Sequence, residues 1–204
     1  MNSIQRLAEL LSELPGIGPR QSKRIVYHLL TRRRDFLNEL SDRVRTIADS
    51  IAECASCHRF YEKGSGNGDL CSICGDPHRD RSLLMIVARD ADLDSMEKAK
   101  GYNGLYFVLG GTVPILEKEP RKTIREDELL KTIERYASTL KEIIFALNAN
   151  PEGENTETYL TRELDPQKEK YSLGFSKLGR GLSTGSELEY ADKNTLQNAL
   201  QNRH

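Results

Sequence analysis

Cys54-Ala-Ser-Cys57, thirteen residues, and Cys71-Ser-Ile-Cys74 use every cysteine in the 204-residue chain, and no other feature limits its folding options as strongly. Each C-x2-C pair presents two thiols on one tight turn. Together the pairs supply the four soft ligands that tetrahedral zinc takes in structural sites, with no position left open for a substrate. Two disulfides are the competing reading. It requires an oxidising compartment, and the opening residues form an amphipathic segment rather than a signal-like one. The intervening stretch, Glu62 to Asp69, carries three glycines and no apolar side chain able to build a core, so a metal is expected to hold it. His58 and His78 flank the pairs, but four cysteines already complete a site, and both are read as surface histidines.

With 37% apolar and 30% charged residues the chain can bury an ordinary core, in one or two compact units beside a small metal module. No apolar run approaches a membrane span, so a soluble protein of the cytoplasm, associated with the nucleoid, is expected. A net charge of -1 excludes a uniformly basic coat, and any nucleic-acid binding must come from local charge. The N-terminus has such a concentration. Residues 1–34 hold Arg6, Arg20, Lys23, Arg24, Arg32, Arg33 and Arg34 against Glu9 and Glu13 alone.

Ile4, Leu7, Ala8, Leu11 and Leu14 fall on one helical face, and Leu14-Pro-Gly-Ile-Gly-Pro-Arg20 then breaks the helix. Pro19 is suited to the first position of a second helix carrying Ile25, Val26, Leu29 and Leu30. Between the helices, Gly16, Ile17 and Gly18 form a hairpin whose backbone can approach a ligand closely. Its amides, with those opening the second helix, suit an anion such as a DNA phosphate. Arg20, Lys23 and Arg24 add charge beside that phosphate without reading a base. An ordinary capped helical hairpin is the plainer alternative. Arg32, Arg33 and Arg34 are read first as a solvated helix end and second as a further DNA contact.

A third helix, with Leu37, Leu40, Val44, Ile47 and Ile51 on one face, leads into the cysteines. From Ser82 onward the texture alternates. Apolar runs at Leu83–Ala88, Leu105–Leu109, Ile143–Leu147 and Tyr171–Phe175 are separated by helical stretches at 93–99, 126–140 and 155–164. That order predicts parallel strands with helices on both faces, and ligand loops after Ala88, Leu109, Leu147 and Phe175. Beyond lies Ser176 to Gly185, where Lys177 and Arg180 among three glycines offer another phosphate contact; the Gly-Lys-Ser/Thr ending of a P-loop is absent. Leu188, Tyr190, Leu196 and Leu200 have little remaining domain to pack on, and an intersubunit contact is expected.

Leu14-Pro-Gly-Ile-Gly-Pro19, the four-cysteine module, Asp76-Pro-His-Arg-Asp80, Tyr106-Phe-Val-Leu-Gly-Gly111, Glu152-Gly-Glu154 and Arg180-Gly-Leu182 with Leu188-Glu-Tyr-Ala-Asp192 resemble, in this order, the bacterial recombination mediator family RecR. The resemblance spans nearly the whole chain. It implies an α+β multi-module protein: a helix-hairpin-helix DNA-binding domain (1–53), a C4 zinc finger (54–80), an α/β Toprim domain with a central parallel sheet (81–176), and a C-terminal oligomerisation segment (177–204). It also implies a function in recombination and repair after DNA damage. As a dimer or tetrameric ring, the protein would bind single- and double-stranded DNA without sequence preference. With RecO and RecF it would load recombinase on gapped single strands coated with SSB.

Departures from the family pattern bear on catalysis. Catalytic Toprim domains place a glutamate at the end of the first strand and an Asp-x-Asp pair after a later one, because several carboxylates must hold magnesium against a phosphodiester. Here those positions read Ala88, Asn148 and Asn150, leaving Glu152 and Glu154, with Asp90, Asp92 and Asp94 as partial substitutes. Neutral amides do not replace that charge. A non-enzymatic DNA-binding scaffold is therefore expected, against the alternative of a magnesium-dependent nuclease, primase or topoisomerase-like enzyme. A second departure is Glu117-Lys-Glu-Pro-Arg-Lys122, where the family has a glycine-rich loop.

Overall fold

The computed structural model describes residues 2–179 and, in the tail, 181, 182, 185, 187–191 and 193–201; Arg180 and Asp192 lie outside the described residues. The chain divides into two compact units, Met1–Ile51 and Ala52–His204.

The first unit holds α1 (Ser3–Ser12), α2 (Pro19–Leu30) and α3 (Arg34–Ser50). Asn2 and Gln5 close a reciprocal capping box that starts α1. That helix ends at Ser12, so Leu14 belongs to the turn that the two prolines and two glycines dictate. Pro19 occupies the first turn of α2, as expected from its fixed φ and missing N–H. Ala8 and Val26 are the buried apolar contacts of this unit, and Ser22, buried beside them, donates its hydroxyl to Pro19 O. No residue of α3 is buried. Its last expected apolar position, Ile51, has already turned extended and begins β1 (Ile51–Glu53).

In the second unit β1 pairs with β2 (Phe60–Glu62) around the first cysteine pair. Then follow β3 (Asp80–Val87), α4 (Asp90–Ala99), β4 (Gly104–Val108), α5 (Glu126–Tyr136), β5 (Glu142–Ala146), α6 (Pro151–Glu163), α7 (Asp165–Tyr171), β6 (Gly174–Lys177) and α8 (Lys193–Gln201). The strands β4-β3-β5-β6 form one sheet, all parallel, in register from Leu84↔Leu105 and Leu84↔Ile143 outward to Ile143↔Phe175. Parallel strands need crossovers long enough for a helix, which the intervening segments provide. The final strand starts later than the Tyr171–Phe175 run predicts. Asp165-Pro166 opens an additional helix, α7, which carries Tyr171 before Ser172 turns left-handed at φ 54°.

Alternation along the strands separates two cores. Leu84, Ile86, Leu105, Phe107, Ile143 and Phe145 pack against Leu129, Ile133 and Tyr136 of α5 and Leu160 of α6. Met85, Val87, Tyr106 and Val108 point to the other face, where they meet Leu93 of α4 together with Tyr61, Ile73 and the four cysteines. A helix therefore covers each face, as the alternation predicts, but the second face is completed by the cysteine module.

Candidate metal centre and nucleic-acid interface

The four cysteine Sγ atoms lie within 4.8 Å of one another, and all four residues are buried. Cys57 Sγ and Cys71 Sγ are 3.6 Å apart and no pair is bonded, which excludes the two-disulfide arrangement in this structure, since a disulfide closes to about 2.05 Å. Four sulfurs at about 2.3 Å from a tetrahedral zinc stand roughly 3.8 Å from each other, so the spacing fits that ion. Ionisation of the cluster is shared. Hydrogen bonds from Cys57, then Cys71 and Cys74, hold Cys54 well below the ordinary thiol range, while Cys57 is pushed well above it, first by its bond to Cys54. A soft divalent cation at the centre would balance thiolates that cannot otherwise coexist in a buried site.

The module is built into the sheet unit by three acidic residues of α4. Asp90 Oδ1 accepts from the Phe60 amide at 2.8 Å, Asp94 pairs with Arg59 at 3.4 Å, and Glu97 forms a two-pronged ion pair with Arg79. This pairing holds the Glu97 carboxyl below the usual range. Arg79 comes from the Asp76–Asp80 motif, whose acids act locally: Asp76 accepts from the His78 amide and Asp80 from Ser82. His78 is exposed, as expected. His58 is not: held left-handed at φ 59°, it bonds Glu53 at 2.7 Å and packs edge-on against Phe107, a partner only the fold supplies.

At the carboxyl edge of the sheet the residues that the sequence suggests as a degenerate Toprim site have structural occupations. Ala88 is buried at the end of β3. Asp92 accepts from the Arg89 amide, in a box that starts α4. Asn150 caps α6 by accepting from the Gly153 amide at 2.8 Å, and Glu152 accepts from the Thr112 hydroxyl at 3.1 Å. Gly153 is required because a Cβ there would stand 2.0 Å from Asn148 O. Asn148 and Glu154 are exposed, and among the described residues no group of three or more carboxylate, histidine or cysteine ligands gathers except the four cysteines. Nearby, the loop at Glu117–Lys122 is anchored by Arg121, whose Nε lies 2.9 Å from the buried Glu126; Tyr159 donates its hydroxyl to the same carboxylate. The loop borders a cavity of 770 Å³ also lined by Tyr159 and Arg162.

In the helical unit, Gly16 takes φ +79°, a conformation glycine adopts without penalty, and the turn closes with Ile17 N donating to Leu14 O at 3.1 Å. Gly18 caps α2 without a side-chain bond, and Pro19 has no N–H to offer. The first-turn amides at Arg20 and Gln21 therefore face outward, unsatisfied within the helix. Arg20, Lys23 and Arg24 are all exposed on the same helix. The arginine triplet straddles the start of α3: Arg32 lies over the Phe36 ring at 5.3 Å, Arg33 is 3.7 Å from Asp35, and Arg34 opens the helix. Lys177 ends β6 and pairs with Glu157 at 3.2 Å.

Among the described residues no helix is long and apolar enough to cross a membrane.

Two folded classes are thus present in one chain, a helix-hairpin-helix and a Toprim domain. Family models described as "RecR, helix-hairpin-helix", "Toprim domain" and "RecR, C-terminal" match residues 4–48, 82–173 and 181–204. The chain is 37% identical over 201 residues to the recombination protein RecR of Bifidobacterium longum subsp. infantis, covering 98% of this chain and 95% of that one. It is 36% identical over 201 residues to that of Desulforudis audaxviator (98% and 96%) and over 203 residues to that of Lactococcus lactis subsp. lactis (98% and 96%). The chain belongs to the RecR family of recombination proteins.

Proposed function

We propose that this protein is a non-enzymatic mediator of DNA recombination and repair. It binds DNA as a ring-like oligomer and, with RecO and RecF, loads recombinase onto gapped single strands coated with SSB in the cytoplasm. The observation that carries this reading is the hairpin from Gly16 to Gly18, whose uncapped α2 amides stand beside exposed Arg20, Lys23 and Arg24. Backbone amides and unpaired cations without any base-reading geometry suit phosphate of either single- or double-stranded DNA. Arg32, Arg33 and Arg34 extend the same basic surface. Lys177 and Arg180 are a second candidate path, the former through exchange of Glu157 for phosphate.

Zinc is the metal we assign to Cys54, Cys57, Cys71 and Cys74, one ion per chain. Its role is structural, since four protein ligands leave no open coordination position. The absence of catalysis is supported by the acids themselves. Asp90, Asp92, Asp94 and Glu152 are each engaged by an amide, a hydroxyl or an arginine, and Ala88, Asn148 and Asn150 carry no charge.

The test replaces Lys23 and Arg24 together by alanine in the full-length protein. Binding should weaken about equally on unrelated sequences, with zinc content and particle mass unchanged. The magnitude of the salt slope should drop by roughly 0.7 per lost contact on single strands, or 0.9 on duplex, for each subunit engaged. Wild-type affinity with an unchanged slope would reassign the hairpin as an oligomer contact.

A further inference from the structure

The two cysteine pairs are chemically alike but held differently. Every carbonyl of the first pair has a donor. Cys54 O accepts from the His58 amide at 3.0 Å, and Ala55 O from Arg135 Nη1 at 3.1 Å. Ser56 O accepts from the Thr132 hydroxyl at 3.1 Å, and Cys57 O from the Val108 amide at 2.8 Å. The Ser56 hydroxyl and the Tyr136 hydroxyl are also bonded, at 3.0 Å. Three of these groups, Thr132, Arg135 and Tyr136, sit on one face of α5, and Val108 ends the edge strand β4. Leu105 and Phe107 of β4 share with Leu129, Ile133 and Tyr136 of α5 the one of the two cores that contains no cysteine.

The second pair packs Ile73 into the core that holds the cysteines, but its backbone hydrogen bonds stay within the module. Gly75 donates to Cys71 O at 2.9 Å, Asp76 to Ile73 O at 3.3 Å, and the Cys71 amide to Cys54 Sγ at 3.3 Å. The loop before it closes on itself through Asn67 and Leu70, the latter's carbonyl accepting at 2.9 Å, and a single backbone bond, Ala55 N to Asp69 O at 2.9 Å, ties it to the first pair. We infer that α5 and β4 preassemble Cys54 and Cys57 as a half-site, and that the metal's work is to recruit Cys71, Cys74 and the loop from Glu62 to Leu70. Thr132, Arg135 and Tyr136 are then positioning residues for a metal they do not touch. The inference rests on the assignment of zinc to the four cysteines.

Hydrogen exchange on the full-length protein, with and without zinc, tests it. In the metal-free chain the amides of His58 and Val108, which report on the first pair, should stay protected with the rest of the sheet. Those of Asn67, Leu70, Cys71 and Gly75 should exchange faster by roughly tenfold or more. A second arm uses Thr132→Val, which keeps the shape of a buried side chain and removes its donor. Zinc should pass to a competing chelator about fivefold faster, the effect of one lost neutral hydrogen bond. Thr132→Ser should restore the rate, which a purely space-filling role for Thr132 does not predict. Both pairs losing protection together, or Thr132→Val releasing zinc at the wild-type rate, would overturn the half-site alone. A pure, reduced chain that takes up no zinc at all would remove the metal assignment and this inference with it.

Discussion

In Ala52–His204 a parallel sheet buries apolar side chains on both faces, whereas in Met1–Ile51 the burial reduces to Ala8, Ser22 and Val26. Phe36, Leu40, Val44 and Ile47 of α3 remain exposed, as do Leu7, Leu10 and Leu14. The helical unit is specified by local signals: a capping box, a proline at a helix start, a glycine at positive φ. The sheet unit is specified by contacts between residues far apart in sequence. Helices of this length draw most of their stability from packing, so a unit with so little of it is the one expected to move or to gain partners. A binding hairpin is well placed there, and the rigid unit is where a closed metal site belongs.

The largest way to sharpen this contrast is to remove the metal. Cys74→Ser, or stripping with a chelator, should lower the stability of the sheet unit more than any single apolar substitution yet leave the sheet folded: structural zinc contributes on the order of 10 kcal/mol apparent in modules that fold only around it, and here only the second cysteine pair and its loop depend on it. The helical unit should melt as before. Calorimetry resolving two transitions checks this, and a metal-dependent shift of both would dissolve the distinction between the units.

Next come paired truncations. Phe107 of β4, fully buried in the core that α5 covers and edge-on to His58, should cost about 3–5 kcal/mol as Phe107→Ala. Val44→Ala on α3, where the side chain is 68% exposed, should stay within about 0.5 kcal/mol in the monomer. Denaturant titrations followed by helical circular dichroism measure both. A large cost for Val44→Ala would show that the exposed stripe is covered in the protein as it exists in solution.

A smaller effect is expected at the hairpin. Gly16→Ala meets no atom within 4 Å, so only the backbone conformation opposes it, at about 1–2 kcal/mol for an L residue held left-handed. DNA binding should weaken with the turn, while the sheet unit keeps its transition temperature.

These differences also explain what could be read from the sequence. The cysteine spacing, the Pro-Gly-Ile-Gly turn and three of the four parallel strands are local patterns, and each appears where its residues predict. The extra helix α7 was concealed because Tyr171 belongs equally well to an apolar run and to a helix end, and only Asp165-Pro166 marked the start. His58 read as a surface residue because nothing nearby in sequence announces Phe107. Arg59 and the α5 residues around the first cysteine pair gave no signal either, since their partners lie across the fold. The Asp76–Asp80 motif was visible as a pattern, but its link to Glu97 was not.

The finest test concerns Asn150, where a capping amide stands at a position that carries an aspartate in catalytic Toprim domains. Asn and Asp are near equivalents as helix caps, so Asn150→Asp should change stability by no more than about 0.5 kcal/mol, while Asn150→Ala should cost about 1 kcal/mol. With Asn148→Asp added, two carboxylates would return to the edge of the sheet. The geometry opposes their use: Asn150 already turns its side-chain oxygen onto the Gly153 amide, Glu152 onto Thr112, and Ala88 still lacks a carboxylate. Calorimetric titration with magnesium should show no binding by either the single or the double variant, and nicking of supercoiled DNA should remain at background. Magnesium uptake by the double variant would mean that the acidic residues at this edge exchange their partners readily. The edge of the sheet would then rank with the helical unit as a region open to ligands.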